Sequence, residues 1–139
     1  MNVIHEIPGK VTVEWEPTVR AVIDHWSAMA LITLPEFKTV ILEKGLKHAI
    51  ANRGHAYIVD NSMAKGAFTQ DIQAFIGTDV FPAFAKGGIK YFITVASAGS
   101  AITNLSAKTY QSKAGPNGLQ LVEVPTVAEA LRWLRENAK

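Results

Sequence analysis

The chain has 139 residues, 48% hydrophobic and 19% charged, with a formal net charge of +2. This is the composition of one globular domain, and the 14 scattered basic residues form no stripe that could track nucleic-acid phosphates. There is no cysteine, which excludes disulfides, thiol nucleophiles and thiolate metal sites, and no apolar run approaches the ~20 residues of a membrane span.

The opening MNVIHEIPGK has neither the basic nor the apolar region of an export signal, so the expected location is cytoplasmic. Residues 1–9 are expected to be flexible, ahead of a single domain that fills the chain. Alternation of apolar and polar residues at 11–15 predicts a half-buried strand. Pro17 and Thr18 interrupt it, and 19–23 predicts an antiparallel partner, with Trp26 closing the segment.

Thr33 and Glu36 have the spacing of a capping box, with Pro35 in the first turn, and predict a helix from there to about residue 52. Gly54 is its expected left-handed stop. Phe37, Ile41, Leu42, Leu46, Ala49 and Ile50 spread over more than half the circumference. So wide an arc implies burial against a sheet and a neighbouring helix, or against a second copy in a homodimer. Gly45, near the centre, permits a close backbone approach.

A short strand at 56–59 ends in Asp60, Asn61 and Ser62. Thr69 then caps a helix with Asp71 in its first turn and Ile72, Phe75 and Ile76 along it. Gly77 is expected to break this helix, Asp79 to recap a short piece holding Phe81 and Phe84, and Gly87-Gly88 to end it. Residues 89–95, rich in β-branched and aromatic side chains, predict the central strand. Helical character at 97–112 is weak, 114–118 is a turn cluster, and 119–124 predicts the last strand. Thr126 and Glu129 repeat the capping box and open a final amphipathic helix with Val127, Ala130, Leu131 and Leu134 facing inward. The predicted order is β-β-α-β-α-β-α-β-α: an α/β domain with one mixed sheet of four to five strands and about four helices.

Several local patterns strengthen this reading. They are Trp26 followed by Pro35-Glu36-Phe37, the strand end Val59-Asp60, Val80-Phe81-Pro82 before Gly87-Gly88, and the closing run from Ala128 to Leu134. In order and spacing the chain resembles the STAS/SpoIIAA-like proteins over residues 10–136, including small bacterial STAS-like proteins of uncharacterised role. The resemblance implies a SpoIIAA-like sheet and a regulatory, protein-binding role. Anti-sigma-factor antagonists of that family carry a phosphorylated serine in an Asp-Ser-Ser at the start of the helix after the third strand. Here the counterpart is Phe68-Thr69-Gln70, where the aspartate is absent and only Thr69 keeps a hydroxyl. STAS-like folds also resemble the lipid-binding CRAL-TRIO domains, which implies a cavity lined by Trp26, Phe37, Ile41 and Phe75.

Thr69 as a phosphoacceptor competes with Thr69 as a plain helix cap, and the cap is the commoner use. Asp60, Asn61 and Ser62 bind a ligand or partner in one reading and form a self-bonded turn in the other, which leads. Asp60 and Asp71 as a carboxylate pair lack a matched histidine or metal. His5, His25, His48 and His55 show no ligand spacing, so no metal or cofactor is expected, and His25 reads as a satisfied strand-end histidine. Phe81 and Phe84, around Pro82, are the aromatics expected to be partly exposed at an interface. The expected function is a non-enzymatic regulatory or protein-interaction module with an unknown protein partner, using 60–73 with Phe81 and Phe84. The alternative is a carrier of a small apolar ligand or lipid, with an enzyme a distant third.

Overall fold

A computed structural model describes residues 2–95, 111–114 and 118–137. The alternation at the start of the chain continues as seven strands: β1 (Asn2–Ile7), β2 (Val11–Glu16), β3 (Ala21–Trp26), β4 (Ala56–Asp60), β5 (Tyr91–Val95), β6 (Gln111–Ala114) and β7 (Gln120–Val124). They form one mixed sheet in the order β1-β2-β3-β4-β5-β7-β6. β1, β2 and β3 are an antiparallel meander, β3, β4, β5 and β7 run parallel, and β6 is antiparallel to β7.

Three helices, among the described residues, cover the sheet. Helix α1 spans 34–51, α2 spans 70–86 and α3 is Val127–Asn137. Successive strand residues point to opposite faces. Val13, Val22, Trp26, Tyr57, Val59 and Phe92 therefore meet α1 and α2, while Ile23, Ile58, Ile93, Val95 and Val122 meet Ala130 and Leu134 of α3. Because α3 crosses β4, β5 and β7, the same face of β2 is left half-exposed, and its side chains there are Thr12, Glu14 and Glu16.

The hairpin of β2 and β3 pairs as predicted, and the capping box is present: Glu36 N–H donates to Thr33 Oγ1, and Thr33 N–H to Glu36 Oε1 at 3.0 Å. Most of the wide apolar arc of α1 is buried within the chain: Phe37, Ile41, Leu46 and Ala49 are covered and Phe37 meets Phe75 of α2, while Leu42 is partly buried and Ile50 is 50% exposed.

Other expectations are corrected. The sheet exceeds four to five strands, because residues 2–7 pair with β2 rather than hanging free, and 111–112 belong to β6. The rest of the weak helix at 97–112, and 115–117 of the turn cluster, lie outside the described residues. Gly77 does not break α2: Ile76–Val80 is wound as a π-helix and the backbone continues through it. The left-handed residue after α1 is Arg53 (φ 56°), not Gly54. Gly54 serves packing instead, since a Cβ there would lie 3.1 Å from the Ala49 Cβ and 3.2 Å from the Trp15 ring.

The buried centre of the helical face holds one carboxyl group. Asp24 of β3 is 0% exposed and accepts a 2.7 Å hydrogen bond from the Tyr57 hydroxyl. Helix α1, π-wound over Thr39–Leu46, passes directly above with Gly45, where a Cβ would come within 2.1 Å of that hydroxyl. Burial pushes the Asp24 carboxyl up to about 8, against the pull of the tyrosine bond.

Two measurements test this arrangement. Gly45→Ala is expected to destabilise the protein by about 2–4 kcal/mol in chemical denaturation, despite alanine's higher helix propensity, because the buried ring cannot move aside. Tyr57→Phe in the same chain removes the closest atom, so the double variant should lose less than the sum of the singles; strict additivity would show that the contact is not what matters. The second concerns pH. Unfolded Asp24 ionises above 3.8, whereas the folded carboxyl keeps its proton to about 8. The folded state binds more protons in that window, and stability falls as pH rises through it. Asp24→Asn should flatten this fall, which is on the order of 6 kcal/mol in the parent, about 1.4 kcal/mol for each of some four pH units. Matching slopes for parent and variant would refute the assignment.

Candidate functional site

The carboxyl ends of β3, β4 and β5 are the place where an open α/β sheet gathers ligands. Strand alternation divides that end into two unlike surfaces.

On the face shared with α3, His25 and Asp60 are register partners on adjacent parallel strands. The His25 Nδ1 lies 2.6 Å from Asp60 Oδ2, and its Nε2 lies 3.2 Å from Glu14 Oε2 on β2. The bond to Asp60 raises His25 above its ordinary value, outweighing its partial burial. Burial opposes the ionisation of Asp60, yet the bonds from His25 and Ser62 overcome it and hold the carboxyl below its usual range. The other carboxylate oxygen, Oδ1, accepts the Ser62 N–H at 2.9 Å and forms the self-bonded turn read from the sequence. With both ring nitrogens engaged by carboxylates, the imidazolium joins β2, β3 and β4 as a staple and presents no free nitrogen to a substrate. Among the described residues no cluster of His, Asp and Glu has a metal-holding arrangement.

On the face beneath α1 and α2 lies a pocket of about 190 Å³. Trp26 stacks on Phe37 at 5.8 Å, and the edges of Phe68 meet both at 4.9 and 5.2 Å. Ile41, Ile76 and Val80 close the helical side, and Phe81, Phe92 and Thr94 the side toward β5. Ile41 comes from the π-wound part of α1, and Ile76 and Val80 from that of α2. Such windings are rare and gather at functional sites. The described lining holds no charged side chain; its polar members are Trp26, Asn61 and Thr94.

Of the cavity residues expected from sequence, Trp26, Phe37 and Ile41 line the pocket. Phe75 does not: it packs edge-on to Phe37 with Lys38 Nζ 4.9 Å over its ring, and Phe68 takes the expected place. Asn61 belongs to the pocket, whereas Asp60 and Ser62 belong to the turn beside it. Thr69 stands at the N-cap of α2 but caps no amide; its hydroxyl donates to Asp71 Oδ1, which also accepts the Ile72 N–H at 2.9 Å. Asp60 and Asp71 thus hold separate local partners. Phe81 is half-buried in the pocket wall, and Phe84, expected at the surface, is fully buried against Tyr57 and Phe92. Sequence reasoning missed the role of Glu14 and the lining residues Met29, Val59, Phe68, Ile76, Val80, Phe92 and Thr94, whereas His25 is the satisfied strand-end histidine that was expected. The signal for His25 and Asp60 was the equal placing of both at strand ends, which becomes contact only once β3 and β4 pair in parallel.

No family model, curated protein or solved structure matches this chain. No described helix is long and apolar enough to cross a membrane.

The staple makes a pH-dependent prediction. A folded His25 value above 6.5 contributes stability that is present below 6.5 and lost as pH rises through the folded value. His25→Gln should cost about 1–3 kcal/mol at pH 6 and visibly less at pH 9, read from denaturation midpoints. An equal loss at both values would mean that the imidazolium form is not what is bound.

Proposed function

We propose that the protein is a non-enzymatic binding domain for a small apolar molecule, held between α1, α2 and the carboxyl ends of β3, β4 and β5. The observation that carries this is the 190 Å³ pocket walled by aromatic and aliphatic side chains with no charge among the described lining. Its volume slightly exceeds the ~150 Å³ of an engineered apolar cavity that binds benzene, and it is too small for a long lipid chain. The ligand is therefore about one ring in size, and the carrier reading narrows from lipids to compact molecules. The resemblance to STAS/SpoIIAA-like proteins, carried by the sequence patterns alone, supports a regulatory output from such binding.

The protein-interaction reading retains one supporting observation. Leu31 and Met63 are 69% and 78% exposed on two loops tied together by the Lys65 N–H to Ser27 carbonyl bond of 2.6 Å. Phe84, buried, gives it none.

Toluene is the simplest probe. At a hundred-fold excess over its dissociation constant it should stabilise the folded state by about 2.7 kcal/mol and raise the melting temperature by several degrees. Val80→Phe, which places a ring in the pocket, should abolish that rise. A melting temperature indifferent to toluene, or a rise that survives Val80→Phe, would count against the pocket.

A further inference from the structure

At the other end of the sheet from the apolar pocket, a row of basic residues crosses the amino ends of the parallel strands. Ala21, Ala56 and Tyr91 are register partners on β3, β4 and β5, and Arg20, His55 and Lys90 each stand one residue before them. Backbone bonds tie the row together: His55 N–H donates to the Arg20 carbonyl at 3.1 Å, and Lys90 N–H to the His55 carbonyl at 2.9 Å. Arg135, from the last turn of α3, joins Thr18, Val19, Arg20, His55 and Leu134 around a second pocket of about 270 Å³. Two details set this cluster apart from scattered surface charge. Arg20 has a left-handed φ of 47°, at the close of a turn in which its N–H donates to the Pro17 carbonyl at 3.3 Å. A Cβ disfavours that conformation and turns usually give it to glycine or asparagine, so the guanidinium is kept there against the backbone's preference. The guanidinium is also oriented. It can only donate, so Arg20 Nη2 donates to His55 Nδ1 at 3.1 Å and selects the neutral ring. Burial, then the charges of Arg20 and Lys90, holds the imidazole below its ordinary value, in accord with that bond. All but one of the Arg20 N–H groups are left without a partner among the described residues, and Arg135 makes no hydrogen bond or ion pair among them.

We propose that this second pocket binds a small phosphomonoester, its phosphate held by the Arg20 and Arg135 guanidiniums and its organic part against Val19 and Leu134. A planar guanidinium meets two phosphate oxygens at once, and a phosphate has acceptors enough for both arginines. No carboxylate competes for them among the described lining. Glu16 feels the charge of Arg135, but its carboxylate already accepts the Thr18 N–H at 3.2 Å and the Thr18 hydroxyl at 2.8 Å. A cavity of ~150 Å³ houses benzene. The volume of about 270 Å³ therefore holds a phosphate beside one ring. His55 acts as a positioning residue, through Arg20.

The experiment titrates phenyl phosphate, inorganic phosphate and phenol into the full chain at constant ionic strength, followed by backbone amide shifts in two-dimensional NMR. Arg20→Gly and Arg135→Gln are compared with the parent, and Lys47→Gln, an exposed lysine on α1, controls for net charge. Phenyl phosphate should shift the amides of Arg20, His55 and Arg135 to saturation, inorganic phosphate should do so several-fold more weakly, and phenol should leave them unmoved. Each arginine variant should weaken phenyl phosphate at least about ten-fold, and Lys47→Gln less than about two-fold. Arg20→Gly should not lower the melting temperature, because relief of the left-handed φ offsets glycine's greater freedom in the unfolded chain. Binding lost from an intact fold is a result that a purely structural arginine would not give. Unmoved amides at this edge would overturn the site. So would a loss in Lys47→Gln equal to that in the arginine variants, or affinity that survives both of them. Inorganic phosphate bound as tightly as phenyl phosphate would overturn the ester assignment. The response of the apolar pocket to toluene is independent of every one of these outcomes.

Discussion

The rest of the structure depends on how closely helix α1 can approach strand β4. At Gly45 the missing side chain lets the helix descend onto the Tyr57 hydroxyl, which is held in place by Asp24. Two turns earlier the same helix is propped by Phe37 stacked on Trp26. Between these two points the space under the helix must be filled or left as a cavity. Phe68 and Phe81 fill part of it, and the pocket is the remainder. The buried carboxyl that anchors the clamp is tolerable because it is protonated at neutral pH.

Strand alternation then separates charge from the pocket. The last residues of β3 are His25 and Trp26, and the matching step on β4 is Asp60 followed by Asn61. One member of each pair turns to the polar face and the other to the helical face. His25 and Asp60 are thereby spent on the staple, with Glu14 as third member, while the pocket receives an indole and an amide.

Much of this was legible before any coordinates, where the signal was local. Thr33 and Glu36 set the start of α1, Gly45 announced a close approach, and Trp26, Phe37 and Ile41 were placed around one cavity. What was not legible depended on partners distant in sequence. Residues 2–7 look too polar for a strand, with His5 and Glu6 breaking the alternation, but an edge strand needs to bury little and draws its order from pairing with β2. Gly77 is a helix breaker by propensity alone; flanking Ile76 and Val80, packed into the pocket wall, hold the backbone helical through it. Phe84 was expected to be partly exposed beside Pro82, yet the approach of Tyr57 and Phe92 covers it completely. Phe75 was placed in the cavity because it lies on α2, whereas the pocket takes Phe68 from the segment before that helix, a contact set by the fold and not by helical spacing.

The buried polar atoms without a partner among the described residues are not equivalent. Asp24 Oδ1 belongs to a group that can take up a proton, so its desolvation is relieved by titration, and the cost appears as pH dependence. The indole of Trp26 and the amide of Asn61 have no such exit in the accessible pH range, since neither gains or loses a proton there. Each such atom costs about 1–3 kcal/mol when left dry, a large fraction of a domain's total stability. A fold that only needed to fill space could have placed phenylalanine and leucine at these two positions and avoided that cost.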